Sequence, residues 1–184
     1  MRLDEPRIPP IPVDQWPDEA PRPSGPLVES GQAVNIFATL ANHPALMRRW
    51  IRFANHVLYK STLPAREREL AILRVGHLCD AGYEWGQHVA IGREAGLSDD
   101  EIRRIRVGAS AAGWSELDHL VLRATDELHA DTFVTDETWA ALAGHWSVEQ
   151  LMDLVFTVGQ YVLVCMALNT FGVQPDEGIP GWDL

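Results

Sequence analysis

Residues 69–88 of this chain read E-L-A-I-L-R-V-G-H-L-C-D-A-G-Y-E-W-G-Q-H. The apolar residues of the first half recur at helical spacing, and Pro64 stands at a position typical of a first helical turn. Gly82 then interrupts the pattern, and a second helical segment runs from about Tyr83 to Ala95. The stretch therefore predicts two helices that pack antiparallel across a short break, and we expect the fold to be built around this antiparallel helical pair.

Three ionisable residues stand where the two predicted helices meet. Glu84 and His88 are four positions apart, so they lie on one helical face, about one turn from each other. Glu69 lies on the preceding helix and can face that pair. Two carboxylates and one imidazole at a partly apolar interface form a set suited to proton transfer, so Glu69, Glu84 and His88 are the candidate catalytic residues. A surface ion pair, or a buried histidine bonded to either glutamate, is the structural alternative.

Two longer segments carry a family resemblance. They read L-P-A-R-E-R-E-L-A-I-L-R over residues 63–74 and Y-E-W-G-Q-H-V-A-I-G-R-E-A-G-L-S-D-D-E-I over residues 83–102. Together with the sequence around them they resemble the carboxymuconolactone decarboxylase and alkylhydroperoxidase D superfamily. The resemblance implies an all-α, multi-helical bundle of the alkylhydroperoxidase D type, in which the antiparallel helical pair carries the site. It also implies a homo-oligomer.

The redox residues of the peroxidase branch are missing from this resemblance. That branch carries a Glu, a C-x-x-C pair and a His on two adjacent helices, and placing its His on His88 puts Glu69 at the position of the Glu. Ala81 and Glu84 then occupy the two cysteine positions. Cys79 comes two residues too early and has no partner in such a motif. The chain looks like the decarboxylase-like Y-E-W-x-x-H branch, so we expect a redox-inactive protein with absent or trivial peroxide turnover.

The resemblance and the acid–base set together predict a cofactor-free enzyme that acts on a small carboxylate, lactone or carbonyl compound, by decarboxylation or a related lyase or isomerase reaction. His88 is the expected proton donor, and Glu69 orients it or relays its proton. Tyr83 is expected to donate a hydrogen bond to an enolate or lactone oxygen. Trp85 is a candidate pocket wall and Arg74 a candidate partner for a substrate carboxylate; buried packing and a structural ion pair are their alternatives.

Two other functional classes stay open. A thiol peroxidase would require Cys79 to act alone, since the motif supplies no resolving thiol. A non-catalytic, oligomeric binding or scaffold protein would keep the fold without the reaction. A well-formed pocket beside His88 favours an enzyme, whereas a sealed helix interface there favours the scaffold.

Composition argues against several kinds of partner. The net charge is −11, and residues 115–184 hold twelve acidic residues and one basic residue, Arg123, so nucleic-acid binding is not expected. The longest apolar run, Tyr161 to Leu168, is too short to span a membrane, and the N-terminus has no signal-peptide pattern. Neither a metal nor a cofactor is expected, since the usual ligand spacings and phosphate loops are missing. Two cysteines without a disulfide framework favour a reduced, cytoplasmic setting.

The chain divides into an arm and one domain. Residues 1–30 hold eight of the twelve prolines and little periodicity, which predicts an extended arm. Residues 31–184 show seven or eight helical segments and no alternating strand pattern, which predicts a single all-α domain. The arm carries four apolar anchors: Ile8, Ile11, Val13 and Trp16. They predict contact with a second subunit, and folding back on the same chain is the alternative.

Overall fold

The structure is a computed structural model that describes residues 2–22, 34–179 and 181–182. Within these ranges it contains α-helices, one short 3-10 turn at Val13–Gln15, and no β-strand. The helices are α1 (Val34–Leu40), α2 (Pro44–Tyr59), α3 (Ala65–Leu78), α4 (Gly82–Glu94), α5 (Asp99–Ile105), α6 (Glu116–Asp131), α7 (Asp136–Ala143) and α8 (Val148–Phe171). The predicted all-α class is confirmed.

Helix α3 is the centre of the fold. Its residues from Glu69 to Gly76 are all buried, and it packs against α4, α6 and α8. Because neighbouring helices cover it on several sides, its sequence shows little separation of a polar and an apolar face. The two charged residues within the buried run, Glu69 and Arg74, consequently need partners inside the protein.

The predicted antiparallel pair is formed by α3 and α4. A Cβ atom added at Gly76 would lie 3.5 Å from the backbone nitrogen of Trp85, and one added at Gly92 would lie 3.2 Å from Cδ1 of Leu73. Early residues of α3 thus face late residues of α4, as antiparallel packing requires. Asp80, with a φ of 49°, makes the left-handed turn between them.

Most helices begin where the sequence carries a start signal. Side-chain caps form at Ser98, Ser115, Thr135 and Ser147. Those at Ser98 and Ser147 are complete capping boxes, in which a Glu or Gln three residues later bonds back to the cap. Pro64 is the N-cap of α3 rather than its first residue, so the predicted start is off by one position.

The N-terminal segment packs against its own chain. Trp16 is buried in a cluster with Met47 of α2, and its Nε1 donates a hydrogen bond to the carbonyl oxygen of Ile11 at 2.8 Å. Folding back on the same chain, the alternative for the arm, is therefore what residues 2–22 show. Residues 23–30 of the predicted arm lie outside the described residues.

After α8 the chain turns back across α4. Ile179 and Gly181 lie over Gly86, where an added Cβ atom would come within 2.8 Å of Cγ2 of Ile179 and 3.0 Å of the nitrogen of Gly181. Trp182 lies over Gly82, whose added Cβ atom would come within 2.9 Å of the indole nitrogen. The two glycines therefore form the surface on which the C-terminal segment rests.

Helix α8, taken over its whole length, is long and apolar enough to cross a membrane by length and composition alone. The run from Tyr161 to Leu168, taken by itself, is too short to indicate this. Half of its most apolar window is buried inside the fold, and the helix packs against α2, α3 and α6. A core helix passes the same test, so this is weak evidence for a membrane. Its outward face carries exposed apolar residues, called here the α8 stripe: Val148, Met152, Phe156, Leu163 and Met166.

Candidate active site

The three candidate catalytic residues meet in the interior of the protein. Nδ1 of His88 lies 2.6 Å from Oε2 of Glu69 in hydrogen-bond geometry. On the other side of the ring, Nε2 of His88 lies 2.9 Å from Oε1 of Glu84, one turn earlier in α4. The antiparallel packing of α3 and α4 thus holds the imidazole between one carboxylate from each helix.

The two carboxylates hold the ring in different ways. The contact with Glu69 is a directed hydrogen bond. Oε1 of Glu84, by contrast, has no partner in hydrogen-bond geometry among the described residues, so its 2.9 Å contact with Nε2 is a contact between opposite charges. Oε1 of Glu84 therefore keeps its capacity to accept a proton or a hydrogen bond.

Glu69 is tied to a further charge. Nε of Arg68 donates a hydrogen bond to Oε1 of Glu69 at 3.1 Å. Positive and negative groups consequently alternate from Arg68 through Glu69 and His88 to Glu84, and we call these four residues the charge chain. Glu69 is fully buried behind His88, so it acts on a ligand only through that ring.

The carboxylates set the protonation state of His88. Burial alone lowers the pKa of an imidazole, but the negative charges of Glu69 and Glu84 outweigh it and raise the pKa of His88 to about 10. At neutral pH the ring is therefore an imidazolium with both nitrogens protonated. Burial, and then the charges of Glu84 and Glu69, also raise the pKa of Tyr161 well above its usual value.

A cavity of about 170 Å³ opens beside the charge chain. Its wall is formed by α1, α2, α4 and α8, together with Pro21 and Arg22 of the N-terminal segment. The residues of α4 that reach it are Tyr83, Glu84, Gln87, His88 and Ile91. Most of the other wall residues are aromatic or aliphatic, so the carboxylate and the imidazolium face a largely apolar space, as is typical of small-molecule sites.

Two further polar groups on the wall lack partners. Nε1 of Trp50 and Oε1 of Gln87 are buried and make no hydrogen bond within the described chain. Leaving a buried polar group unpaired is unfavourable, and a ligand or a water molecule in the cavity can satisfy it. The ring of Tyr161 stands edge-on to His88, with 4.9 Å between ring centres. The unpaired atoms on the cavity wall are thus one donor, on Trp50, and two acceptors, on Gln87 and Glu84, beside the aromatic ring of Tyr161.

Tyr83 lines the cavity, but its hydroxyl group is already engaged. It donates to Oδ2 of Asp176 at 2.6 Å, and Nε2 of Gln87 donates to the same oxygen at 2.8 Å. The backbone N–H of Asn35 bonds the other oxygen of Asp176, so this carboxylate fastens the C-terminal segment to α1 and α4. Burial and the charge of Asp176 raise the pKa of Tyr83 well above its usual value. Donation to a substrate oxygen would require Tyr83 to release Asp176.

Trp85 does not line the cavity, contrary to the sequence prediction. Its fully buried side chain packs against Trp182, with 5.6 Å between ring centres, and the guanidinium group of Arg106 lies 4.8 Å from its ring centre. Successive residues of a helix point about 100° apart, so Trp85 turns away from the face that carries Glu84. Buried packing, the alternative for Trp85, is the role that the structure shows.

Arg74 also lies away from the cavity, so its predicted contact with a substrate carboxylate is wrong. Nε and Nη2 bond the carboxylate of Asp126 on α6, and Nη1 donates to the carbonyl oxygens of Ile105 and Arg106. These bonds use all three guanidinium nitrogens and tie α3 to α6 and to the end of α5. The structural ion pair is therefore the alternative that the fold realises.

Several residues of the site were not found from the sequence. They are Trp50, Gln160, Tyr161 and Asp176. A polar residue within the apolar pattern of α8 is the signal that points to Gln160, whereas Asp176 follows the last helix and belongs to no pattern. In the part of the chain that the structure describes, no group of three His, Cys, Asp or Glu side chains is arranged to hold a metal ion.

Comparison with known proteins agrees with this architecture. Residues 44–127, which run from α2 into α6, match the Carboxymuconolactone decarboxylase family. Residues 44–127 are thus similar to that family, and this match supports the superfamily resemblance. The resemblance noted in the sequence is thereby confirmed. No curated protein matches the chain.

Solved structures share the fold of this chain at low sequence identity. A peroxidase-related protein from Ralstonia eutropha with the alkylhydroperoxidase AhpD core has a TM-score of 0.72 at 21% identity, over 83% of this chain and 82% of that one. A peroxidase-related protein from Silicibacter sp. has a TM-score of 0.75 at 14% identity, over 98% and 94%. The debrominase Bmp8, solved with 2,3,4-tribromopyrrole, has a TM-score of 0.77 at 12% identity, over 92% and 91%. Such identities establish the fold alone.

Proposed function

We propose that this chain is a cofactor-free enzyme that transfers a proton to or from carbon in a small carboxylate, lactone or carbonyl compound, as a decarboxylase or a related lyase or isomerase. The supporting observation is the charge chain, which ends in a carboxylate oxygen without a donor beside a cavity. Titratable groups held in this way beside a concave site are suited to acid–base catalysis.

In a decarboxylation the imidazolium of His88 is the proton donor. When the bond between the carboxylate and the α-carbon breaks, CO2 leaves and the bonding electrons form an enolate. Nε2 of His88 gives its proton to that carbon, and the ring then takes a new proton from water. The N–H of Trp50, which has no partner in the described chain and lines the same cavity, donates to the enolate oxygen.

An isomerisation uses the same groups in another order. Oε1 of Glu84 removes a proton from carbon and loses its negative charge. Because that charge helps to raise the pKa of His88, the imidazolium becomes a stronger acid at this moment and returns a proton to a second carbon. The proton on Glu84 then passes to Nε2, while Glu69 holds Nδ1 and keeps the ring in place.

The cavity restricts the size of the substrate. Its volume of about 170 Å³ is below the range of about 300–1,000 Å³ that is typical for drug-sized ligands, so we expect a compound no larger than one small ring. The aromatic and aliphatic wall favours an apolar body, and Arg22 is a cation on the wall that attracts a carboxylate. The debrominase of the same fold was solved with tribromopyrrole, a single aromatic ring, which agrees with a small cyclic ligand.

The test is a panel of β-keto acids and lactones in deuterated water. Wild-type protein and the Glu84→Gln variant are incubated with each compound, and NMR records loss of the carboxyl group and uptake of deuterium at carbon. The wild type is expected to convert at least one compound. Glu84→Gln is expected to be about 10²–10⁴-fold slower in an isomerisation, in which Glu84 is the base, because this is the usual contribution of a general acid or base. His88→Gln removes the proton donor of both reactions and is expected to slow either conversion by about the same factor.

Arg74→Lys is the matched control, because Arg74 is a buried charge outside the cavity. It is expected to keep the activity of the wild type. Isomerisation that persists in Glu84→Gln, or either conversion that persists in His88→Gln, contradicts the proposal. A wild type that neither converts nor binds any compound of the panel also contradicts it and favours the scaffold alternative.

We further propose that the α8 stripe is the contact between two copies of this chain. The five residues are more than half exposed and span about 27 Å along one side of the helix. Gly159 lies in the middle of α8 with no atom near an added Cβ, so another backbone can approach there. A single apolar stripe can pair with itself around a two-fold axis.

Light scattering at micromolar concentration tests this assembly. The wild type is expected to have the mass of an oligomer, and Leu163→Asp to lower that mass because it places a charge in the stripe. Phe133→Asp is the matched control, since Phe133 is a similarly exposed apolar residue outside α8. A monomeric wild type, or equal masses for Leu163→Asp and wild type, contradicts the proposed contact.

A further inference from the structure

A neutral amide stands on the same face of α4 as the two reactive residues. Gln87 lies three positions after Glu84 and one before His88, and all three line the cavity. The side chain of Gln87 is buried, and its Oε1 makes no hydrogen bond within the described chain. Because a buried amide oxygen without a donor is unfavourable, this atom indicates a donor that a ligand supplies.

Asp176 fixes the orientation of this amide. Nε2 of Gln87 donates to Oδ2 of Asp176 at 2.8 Å, and the hydroxyl group of Tyr83 donates to the same oxygen at 2.6 Å. A carboxylate oxygen accepts hydrogen bonds and has none to donate, so Gln87 cannot turn its own oxygen toward Asp176. The two ends of the amide are therefore assigned by their chemistry, with the nitrogen toward Asp176 and the oxygen away from it.

The oxygen is the end of this amide that is left for a ligand. Among the described residues, Gln87 belongs to the cavity wall and Asp176 does not. The amide nitrogen is thus directed to a residue outside the wall. The other unpaired neutral group on the wall is the N–H of Trp50 on α2. The wall consequently holds one fixed acceptor, on Gln87, and one donor, on Trp50.

We propose that Gln87 selects the substrate: the cavity takes a small carbonyl compound that also bears an N–H or O–H group, and Asp176 is the positioning residue that sets this preference. The inference rests on the proposed function, because it names the substrate class of the same site. The carbonyl oxygen accepts from Trp50, and the N–H or O–H group donates to Oε1 of Gln87. A compound without that group leaves Oε1 unpaired, and a site built to bond such a group rejects the analogue that lacks it.

The role of Asp176 predicts a reversal of this preference in Asp176→Asn. The backbone N–H of Asn35 bonds Oδ1 of Asp176 at 2.9 Å, so it holds the oxygen of the new amide in that place. The amide nitrogen then takes the position of Oδ2 and changes it from an acceptor to a donor. One of its N–H groups reaches Tyr83, and the other draws the oxygen of Gln87 toward it. Nε2 of Gln87 is thereby turned to the cavity, where it favours a ligand with an acceptor.

The test compares two probes that share one ring. They are 2-pyrrolidinone, a lactam with an N–H group, and γ-butyrolactone, in which an oxygen atom replaces that group. NMR titration of the full chain gives the Kd of each probe. The wild type is expected to bind the lactam about 3–10-fold more tightly, which is the usual net effect of one hydrogen bond. The third probe, α-hydroxy-γ-butyrolactone, tests an O–H donor in the same way.

Three variants assign the preference to its residues. Gln87→Met keeps most of the volume of the side chain without its polar atoms, so it is expected to lower the preference by about 3–10-fold. Asp176→Asn is expected to reverse it in favour of γ-butyrolactone. Glu177→Gln is the matched control, because it makes the same chemical change on the exposed neighbour of Asp176, and it is expected to keep the ratio of the wild type.

The proposal is overturned by a wild type that binds neither donor probe more tightly than γ-butyrolactone. An unchanged preference in Gln87→Met, or in a folded Asp176→Asn protein, overturns it as well. Circular dichroism shows whether Asp176→Asn folds. If it does not, Gln87→Met decides, because that variant leaves the bonds of Asp176 to Tyr83 and Asn35 in place.

Binding and turnover fail separately in this experiment. A wild type that prefers a donor probe but converts no compound counts against the proposed function alone. Equal conversion of compounds with and without the donor group counts against the selection by Gln87 and leaves the proton transfer in place.

Discussion

The two sides of helix α4 give neighbouring residues of one motif different roles. On one side, Glu84 and His88 border a cavity, and Oε1 of Glu84 has no donor among the described residues. On the other side, Trp85 is covered by Trp182 and Arg106. The first side leaves reactive atoms open to a ligand, whereas the second fills its space with the chain's own side chains. The motif Y-E-W-G-Q-H thus combines a site with the packing that supports it.

Helix α3 repeats this contrast with charged residues. Glu69 and Arg74 are both buried, and both have strong hydrogen-bond partners. Glu69 reaches a cavity through His88, whereas Arg74 bonds only Asp126 and backbone carbonyl groups. Burial of a charge therefore does not identify a functional residue. An unpaired polar atom beside an open space is the better indication.

The largest expected effects come from changing the two sides of α4 one at a time. A change on the cavity side should alter turnover, and a change on the packed side should alter stability. Glu84→Gln should lower the turnover of an isomerisation, in which Glu84 is the base, by about 10²–10⁴-fold. It should leave the packing of α4 intact, because the amide has the shape of the carboxylate. Trp85→Ala should keep the cavity but lower the free energy of unfolding by about 3–5 kcal/mol, because it empties a large buried volume. Kinetics on a substrate from the panel and urea denaturation measure the two effects.

Trp182→Ala is a milder change on the packed side, because Trp182 is only partly buried. It should lower the free energy of unfolding by less than Trp85→Ala does. It replaces Trp85→Ala in the experiment if that variant does not fold. A folded Trp85→Ala protein that loses turnover as completely as Glu84→Gln would remove the distinction between the two sides.

The next effect concerns the proton on His88. NMR titration of its ring should show a midpoint near the value of about 10 rather than near the ordinary value of about 6.5. Glu69→Gln should lower this midpoint more than Glu84→Gln, because the charge of Glu69 makes the larger contribution. A wild-type midpoint near 6.5 would show that the charge chain does not hold an imidazolium.

The same proton links stability to pH. Because the pKa of His88 is higher in the fold than its unfolded value of about 6.5, the stabilisation is complete below that pH. It decreases as the pH rises and is lost above a pH of about 10. Urea denaturation should therefore show falling stability across this window, with a shallower fall in Glu69→Gln. Equal slopes for the two proteins would contradict the linkage.

The smallest effect is expected on the surface of α4 that carries the C-terminal segment. Gly86→Ala places a methyl group against Ile179 and should lower the free energy of unfolding by about 1–3 kcal/mol. Ile179→Ala removes Cγ2, the atom nearest to the added methyl group. The double variant should therefore lose less free energy of unfolding than the two single variants lose together. Strict additivity in urea denaturation would show that the segment does not rest on Gly86.

The sequence by itself determined the helices, their ends and one contact of the site. Capping boxes at Ser98 and Ser147 and the left-handed Gly96 mark helix ends through bonds made within a few residues. The contact of Glu84 with His88 is equally local, since residues four apart meet on any helix. Such features depend on neighbouring positions only, so they could be predicted before the fold was known.

Only the tertiary structure decided which neighbour covers each side of a helix. Trp85 and Arg74 were expected at the pocket, yet distant partners cover them. Helical periodicity fixes the angle between two residues of one helix but not the segment that packs against either of them. Because α3 and α4 are covered on several sides, their sequence pattern does not distinguish a cavity from a packed core. That distinction arises from contacts between segments far apart in the chain.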